Sequence, residues 1–151
     1  MHVHKNKENN MKFFKLTLIG LVVSLVSLSA LAHDPKGESF TLSGKVTSVE
    51  LTDDGGVITV SAEAGRYGKV FLTYNVKLNP ALPNQGYFSG RGIGIDDEGN
   101  REAGSRQGVF RREGSIMNFY SLDDVSDGRL NYCETTINLR TDEVEMTFYP
   151  F

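Results

Sequence analysis

Arg91 is the least ordinary residue in this sequence, because it lies among residues that read as a strand. It shares parity with Tyr87, Ser89, Ile93 and Ile95, while Gly90, Gly92 and Gly94 occupy the other face. If Ile93 and Ile95 point inward, Arg91 points inward with them. A buried guanidinium cannot lose its proton, so it needs a carboxylate or a ligand anion to offset its desolvation. Arg91 is therefore the candidate anion-recognising group of an interior cavity; the alternative is an arginine at the mouth, paired with an acidic turn. Tyr74 stands on the apolar stripe Val70, Leu72, Tyr74, Val76 and Leu78, which would bring its hydroxyl to the same interior. Arg91 and Tyr74 are the ligand-binding candidates. Arg101, Arg106, Arg111, Arg112 and Arg129 fall in the same part of the chain, with Arg111-Arg112 beside Glu113 reading as a solvated hairpin end.

Other reactive types point to no catalytic or metal chemistry. Asp123, Asp127, Gly128 and Glu134 fall at positions one, five, six and twelve of an EF-hand count. Position three is Val125, where an oxygen ligand belongs, and no helix flanks the segment, so it reads as an acidic hairpin turn. Asp96-Asp97-Glu98 reads the same way. Glu134 shares a face with Thr136, Asn138 and Arg140 and is expected in water, whereas Cys133, Thr135, Ile137 and Leu139 take the inward face. The chain has three His, and only His33 lies beyond residue 32. An amino-terminal His can chelate copper, but a second His is needed to complete that site. The same shortage excludes Ser-His-Asp and Cys-His catalysis. With one Cys there is no intramolecular disulfide and no cysteine-based zinc site. No metal and no cofactor are expected.

The opening of the chain has the layout of a secretory signal. Lys12 and Lys15 precede an apolar run from Leu16 to Leu28, and Ala30-Leu31-Ala32 supplies the small residues of a cleavage site. Cleavage is expected between Ala32 and His33, with Met11 a plausible true start. The alternative is an uncleaved anchor, for which the run is short of the roughly 20 residues a span prefers. The expected organisation is a signal over 1–32, a flexible terminus over 33–38 and one domain over 39–151. Removing residues 1–32 leaves 12 basic and 18 acidic residues and a net charge of −6. That balance excludes nucleic acid as the main partner, which calls for a basic footprint. A periplasmic or secreted location, with no membrane attachment after cleavage, follows from the signal.

Beyond residue 33 no window keeps helical spacing over three turns. Period-two alternation recurs instead, bounded by Gly and Asp clusters. Eight strands are expected, near 39–50, 56–64, 67–79, 85–96, 104–112, 115–122, 129–139 and 143–149. Short links such as Asp53-Asp54-Gly55-Gly56, Asp97-Glu98-Gly99-Asn100 and Asp127-Gly128 favour antiparallel neighbours in up-and-down order. The fold class is all-β. One apolar face and no helix to cover it leave two solutions, an eight-stranded antiparallel barrel or a two-sheet β-sandwich. The glycines at 90, 92 and 94 favour the barrel, since a bare stripe lets a strand coil sharply or a neighbour approach closely.

An exported antiparallel barrel whose fourth strand reads GYFSGRGIGIDDEG resembles the allene oxide cyclase and dirigent type of eight-stranded barrel over residues 39–149. Lipocalin-like barrels are similar too, although the entrance motif with its Trp is missing. The resemblance is architectural and assigns no catalytic residue. The expected function is binding of a small, partly apolar molecule inside an exported barrel. Two alternatives remain: the cavity of an isomerase or cyclase, which the resemblance implies, or an envelope protein with a packed interior and no pocket.

Overall fold

The computed structural model describes residues 38–151. The expected signal segment, its cleavage site at Ala32 and His33, and most of the expected flexible terminus lie outside them. The described residues form eight strands: β1 (Phe40–Thr52), β2 (Gly55–Glu63), β3 (Lys69–Asn79), β4 (Leu82–Ile95), β5 (Arg101–Glu113), β6 (Ile116–Val125), β7 (Leu130–Asn138) and β8 (Glu143–Pro150). Each pairs antiparallel with the next, and β8 returns to β1, so the sheet is a closed barrel without an edge. Closure decides against the sandwich. It also gives every strand a paired neighbour on both sides, which an open sheet cannot do at its ends.

Period-two alternation fills the interior. Leu42, Ile58, Val60, Leu72, Tyr74, Val76, Ile137, Val144 and Met146 all lie inside, and their chain neighbours face outward. The end bounded by the β1–β2, β3–β4, β5–β6 and β7–β8 links is plugged by aromatic rings. Tyr74, Phe88 and Phe119 lie with ring centroids 4.7–5.3 Å apart, and Phe110 is 5.6 Å from Phe119. Such tilted contacts add about 0.5–1.5 kcal/mol per pair beyond area burial.

β4 is where the fold departs from the expected orientation. Phe88, Gly90, Gly92 and Gly94 face the interior, while Tyr87, Arg91 and Ile95 are exposed and Ile93 is half-buried. The reason is close approach. A Cβ at Gly90 would stand 1.9 Å from the Thr73 carbonyl oxygen, so no other residue fits where β3 leans over β4. Phe88, fully buried, then fixes the parity of the whole strand. The Thr73 hydroxyl accepts the Arg91 backbone N–H at 3.0 Å across this tight crossing.

Candidate functional site

Two strands carry polar side chains into the interior by the same alternation that buries their aromatics. On β5, Gly104, Arg106, Gly108 and Phe110 share one face; on β6, Met117, Phe119, Ser121 and Asp123 do. Arg106 and Asp123 are direct cross-strand partners. Phe110 and Phe119 commit those faces to the core, so Arg106 and Asp123 must follow them inward. Their desolvation is offset by pairing with each other.

The pair is tightly made. Arg106 Nε donates to Asp123 Oδ2 at 2.8 Å, with the two side chains only 2% and 6% exposed. Ser121 Oγ donates to Asp123 Oδ1 at 2.8 Å, and Arg106 Nη2 reaches Ser121 Oγ at 3.4 Å and Met146 Sδ at 3.7 Å. The guanidinium carbon sits 4.7 Å from the centroid of the Tyr74 ring, a buried cation–π contact. Burial alone would lower the pKa of Arg106, but the neighbouring Tyr74 side chain and the Asp123 carboxylate outweigh it and push it above the usual arginine value. Burial pushes the Cys133 thiol well up, and Asp123 adds to the effect. Arg106 Nη1 is buried and has no hydrogen-bond acceptor among the described residues.

This polar layer forms the floor of a cavity of about 420 Å³ that opens at the end opposite the aromatic plug. Its wall is mostly apolar, with Leu42, Val70, Leu72, Val125 and Phe148 among the lining side chains. Glycine makes the room. Gly92 on β4 pairs directly with Gly104 on β5, so neither strand projects a side chain into that stretch of interior. A Cβ at Gly92 would come 3.0 Å from Leu72 Cδ2, the flexible tip of a side chain, so here the backbone does not demand glycine as it does at Gly90.

The rim is tied across the mouth. A single 3₁₀ turn, Gly65–Tyr67, follows β2; it opens on Gly65 at φ 55° and is closed by Gly68 at φ 62°, positive values that glycine tolerates. Tyr67 donates its hydroxyl to Asp127 Oδ2 at 3.0 Å, and Arg66 forms an ion pair with the same carboxylate. Partial burial would raise the Asp127 pKa, but the Arg129 N–H, the Tyr67 hydroxyl and Arg66 outweigh that and hold it below the usual carboxylate range. The Tyr67 carbonyl lies 2.7 Å from where a Cβ of Gly94 would be, so the turn rests directly on bare backbone.

No protein-family model, curated protein or solved structure matches this chain. No comparison supports the resemblance to allene oxide cyclase and dirigent barrels, and no activity is carried over from it.

The residues singled out from sequence fare differently. Tyr74 is fully buried, with its hydroxyl 3.2 Å from Thr135 Oγ1 under the guanidinium. Arg91 corrects the expectation that it points inward: it is exposed, on the outer face with Ile95, because the glycines occupy the inside. The interior arginine is Arg106. Asp123, expected in an acidic turn, is instead a buried strand residue, and the turn proper begins after Val125. Glu134 is exposed and Cys133 buried, as their alternation implies. Among the described residues no cluster of three or more His, Cys, Asp or Glu side chains is placed to hold a metal ion.

Proposed function

We propose that this protein is an exported β-barrel that holds a small, largely apolar molecule in the open half of its interior. The observation that carries the reading is the division of the barrel. One half is plugged by Tyr74, Phe88, Phe110 and Phe119, while the other keeps a cavity of about 420 Å³ with an apolar wall and a polar floor. Cavities of roughly 300–1,000 Å³ with apolar walls and a few placed polar groups are the usual form of small-molecule sites. Glycines at 92 and 104 leave this stretch of interior without side chains, each forgoing burial worth about 1.5–3 kcal/mol for a residue such as Val or Leu. Export is supported by the order of Lys12, Lys15, the apolar run and Ala30-Leu31-Ala32.

The test is occupancy of the cup. N-phenyl-naphthylamine, a neutral dye that brightens in apolar surroundings, should bind the wild-type protein at one site. Gly92→Leu would project an isobutyl group into the cavity against the yielding tip of Leu72, and should abolish that binding while the barrel still melts cooperatively. Equal dye binding in both proteins would contradict the reading. For export, amino-terminal sequencing of protein recovered from outside the cytoplasm should read His-Asp-Pro-Lys. An intact terminus in the membrane fraction would establish an anchor instead.

A further inference from the structure

We infer that the molecule held in the cup is uncharged and presents a carbonyl or hydroxyl oxygen to Nη1 of Arg106. This rests on the reading of the cup as a small-molecule site and adds the chemistry of the ligand's polar end. The guanidinium has five N–H donors in a fixed fork. Nε is used by Asp123, and Nη2 by Ser121 Oγ and the weak acceptor Met146 Sδ. Nη1 is left with two donors and no acceptor among the described residues, on a side chain that lines the cavity floor. A buried donor without an acceptor is costly, and more so on a charged group. Nη1 itself is closed off beneath the floor, and a ligand oxygen reaching Arg106 from the cavity would relieve that cost once the guanidinium turns this edge toward it.

Charge decides which oxygen. Asp123 already neutralises Arg106 at 2.8 Å. The charged side chains lining the whole cavity also cancel, with Arg66, Arg106 and Arg129 against Glu63, Glu102 and Asp123. A ligand carboxylate would be a second buried anion beside Asp123 with no unshared cation to meet it, and its desolvation would be uncompensated. A neutral acceptor has no such penalty and still receives a charge-assisted hydrogen bond. The combination of apolar wall, balanced charge and one free donor edge fits a medium-chain ketone, lactone, ester or alcohol better than a fatty acid.

The test uses displacement of N-phenyl-naphthylamine by four ligands of matched length: octane, methyl hexyl ketone, octanol and octanoate. Each is measured on the wild type and on Arg106→Met/Asp123→Leu, which removes the donor without leaving a lone buried charge or adding an amide N–H. The ketone-to-octane affinity ratio should be about tenfold to a hundredfold higher in the wild type than in the variant, the size expected of a hydrogen bond to a charged group. Octanoate should bind the wild type more weakly than the ketone. An unchanged ratio would overturn the inference and leave the apolar cup standing, whereas octanoate binding tighter than the ketone would show the ligand to be an anion. Failure of dye and all four ligands to bind would instead overturn the small-molecule reading itself. Should the variant not fold, the carbonyl carbon resonance of ketone bound to the wild type decides. A hydrogen-bonded carbonyl moves downfield of its position in hydrocarbon, and a resonance left at the hydrocarbon value would refute the contact.

Discussion

Replacing Arg106 by Met tests whether the polar floor is the enclosed ion pair described here. Methionine keeps most of the unbranched stem and removes the guanidinium, so the effect is electrostatic and not that of an empty cavity. Asp123 would remain buried, 6% exposed, having lost its partner at 2.8 Å. Breaking a buried pair from one side costs about 3–5 kcal/mol. The Ser121 hydroxyl still donates to Asp123 at 2.8 Å, so the lower end, about 3 kcal/mol, is expected. With a urea slope of about 1–3 kcal/mol/M for a small domain, that loss moves the midpoint down by roughly 1–3 M. Arg106→Met/Asp123→Leu, which removes both charges, should recover most of the loss, since a well-packed apolar pair often equals a buried ion pair. Arg91→Ala is the internal control. That side chain is exposed, and its removal should cost no more than about 1 kcal/mol. The reasoning is refuted if Arg106→Met loses less than about 1 kcal/mol, or if the double variant is as unstable as the single one.

Three further outcomes follow from the same geometry. Gly90→Ala should be far more damaging than Gly92→Ala, because its Cβ would meet the Thr73 backbone at 1.9 Å while that of Gly92 meets only the tip of Leu72 at 3.0 Å; thermal melts of the two variants compare them directly. Cys133, fully buried and with its thiol pKa pushed up, should resist iodoacetamide in the native protein and react fully in denaturant. The tie from Arg66 and Tyr67 to Asp127 should be pH-dependent in one direction only. The carboxyl is held below its unfolded value of about 3.9, so the tie is complete above that pH and is lost as pH falls through the lower, folded value. The protection of the 64–68 amides, taken relative to their intrinsic exchange rate at each pH, should therefore hold at pH 5 and fall below the usual carboxylate range. Asp127→Asn should remove that pH dependence.

Much of this fold was legible from alternation and turn chemistry. The eight strands fall within a few residues of the segments expected from period-two runs, and the up-and-down order follows from short links such as Glu113-Gly114 and Asp127-Gly128. The orientation of β4 was not legible from Ile93 and Ile95 alone, because a small barrel can leave such side chains half-buried or exposed on its outer surface. Phe88 was the better guide. It shares parity with the glycines, and counting forward from it by twos places Gly90, Gly92 and Gly94 inside and Arg91 outside. The same count finds the floor of the cup. Two steps back from Phe110 along β5 is Arg106, and two steps on from Phe119 along β6 is Asp123. What no count along one strand could supply is the cross-strand register that sets Arg106 opposite Asp123. Nor could it supply the pairing of Gly92 with Gly104 that empties the cup. Both depend on how the closed sheet staggers its strands, a property of the whole barrel.

The most direct test of the central claim is native mass spectrometry of the protein purified from its own source, without detergent or added ligand. Wild-type protein should carry a discrete, stoichiometric mass shift that disappears on denaturation, and the released compound should be a neutral, mainly apolar molecule containing a carbonyl or hydroxyl oxygen. Gly92→Leu purified in parallel should show the bare chain mass. The same adduct on Gly92→Leu would place the ligand outside the cup. A wild-type protein that has the bare mass and binds neither dye nor ketone would contradict the account.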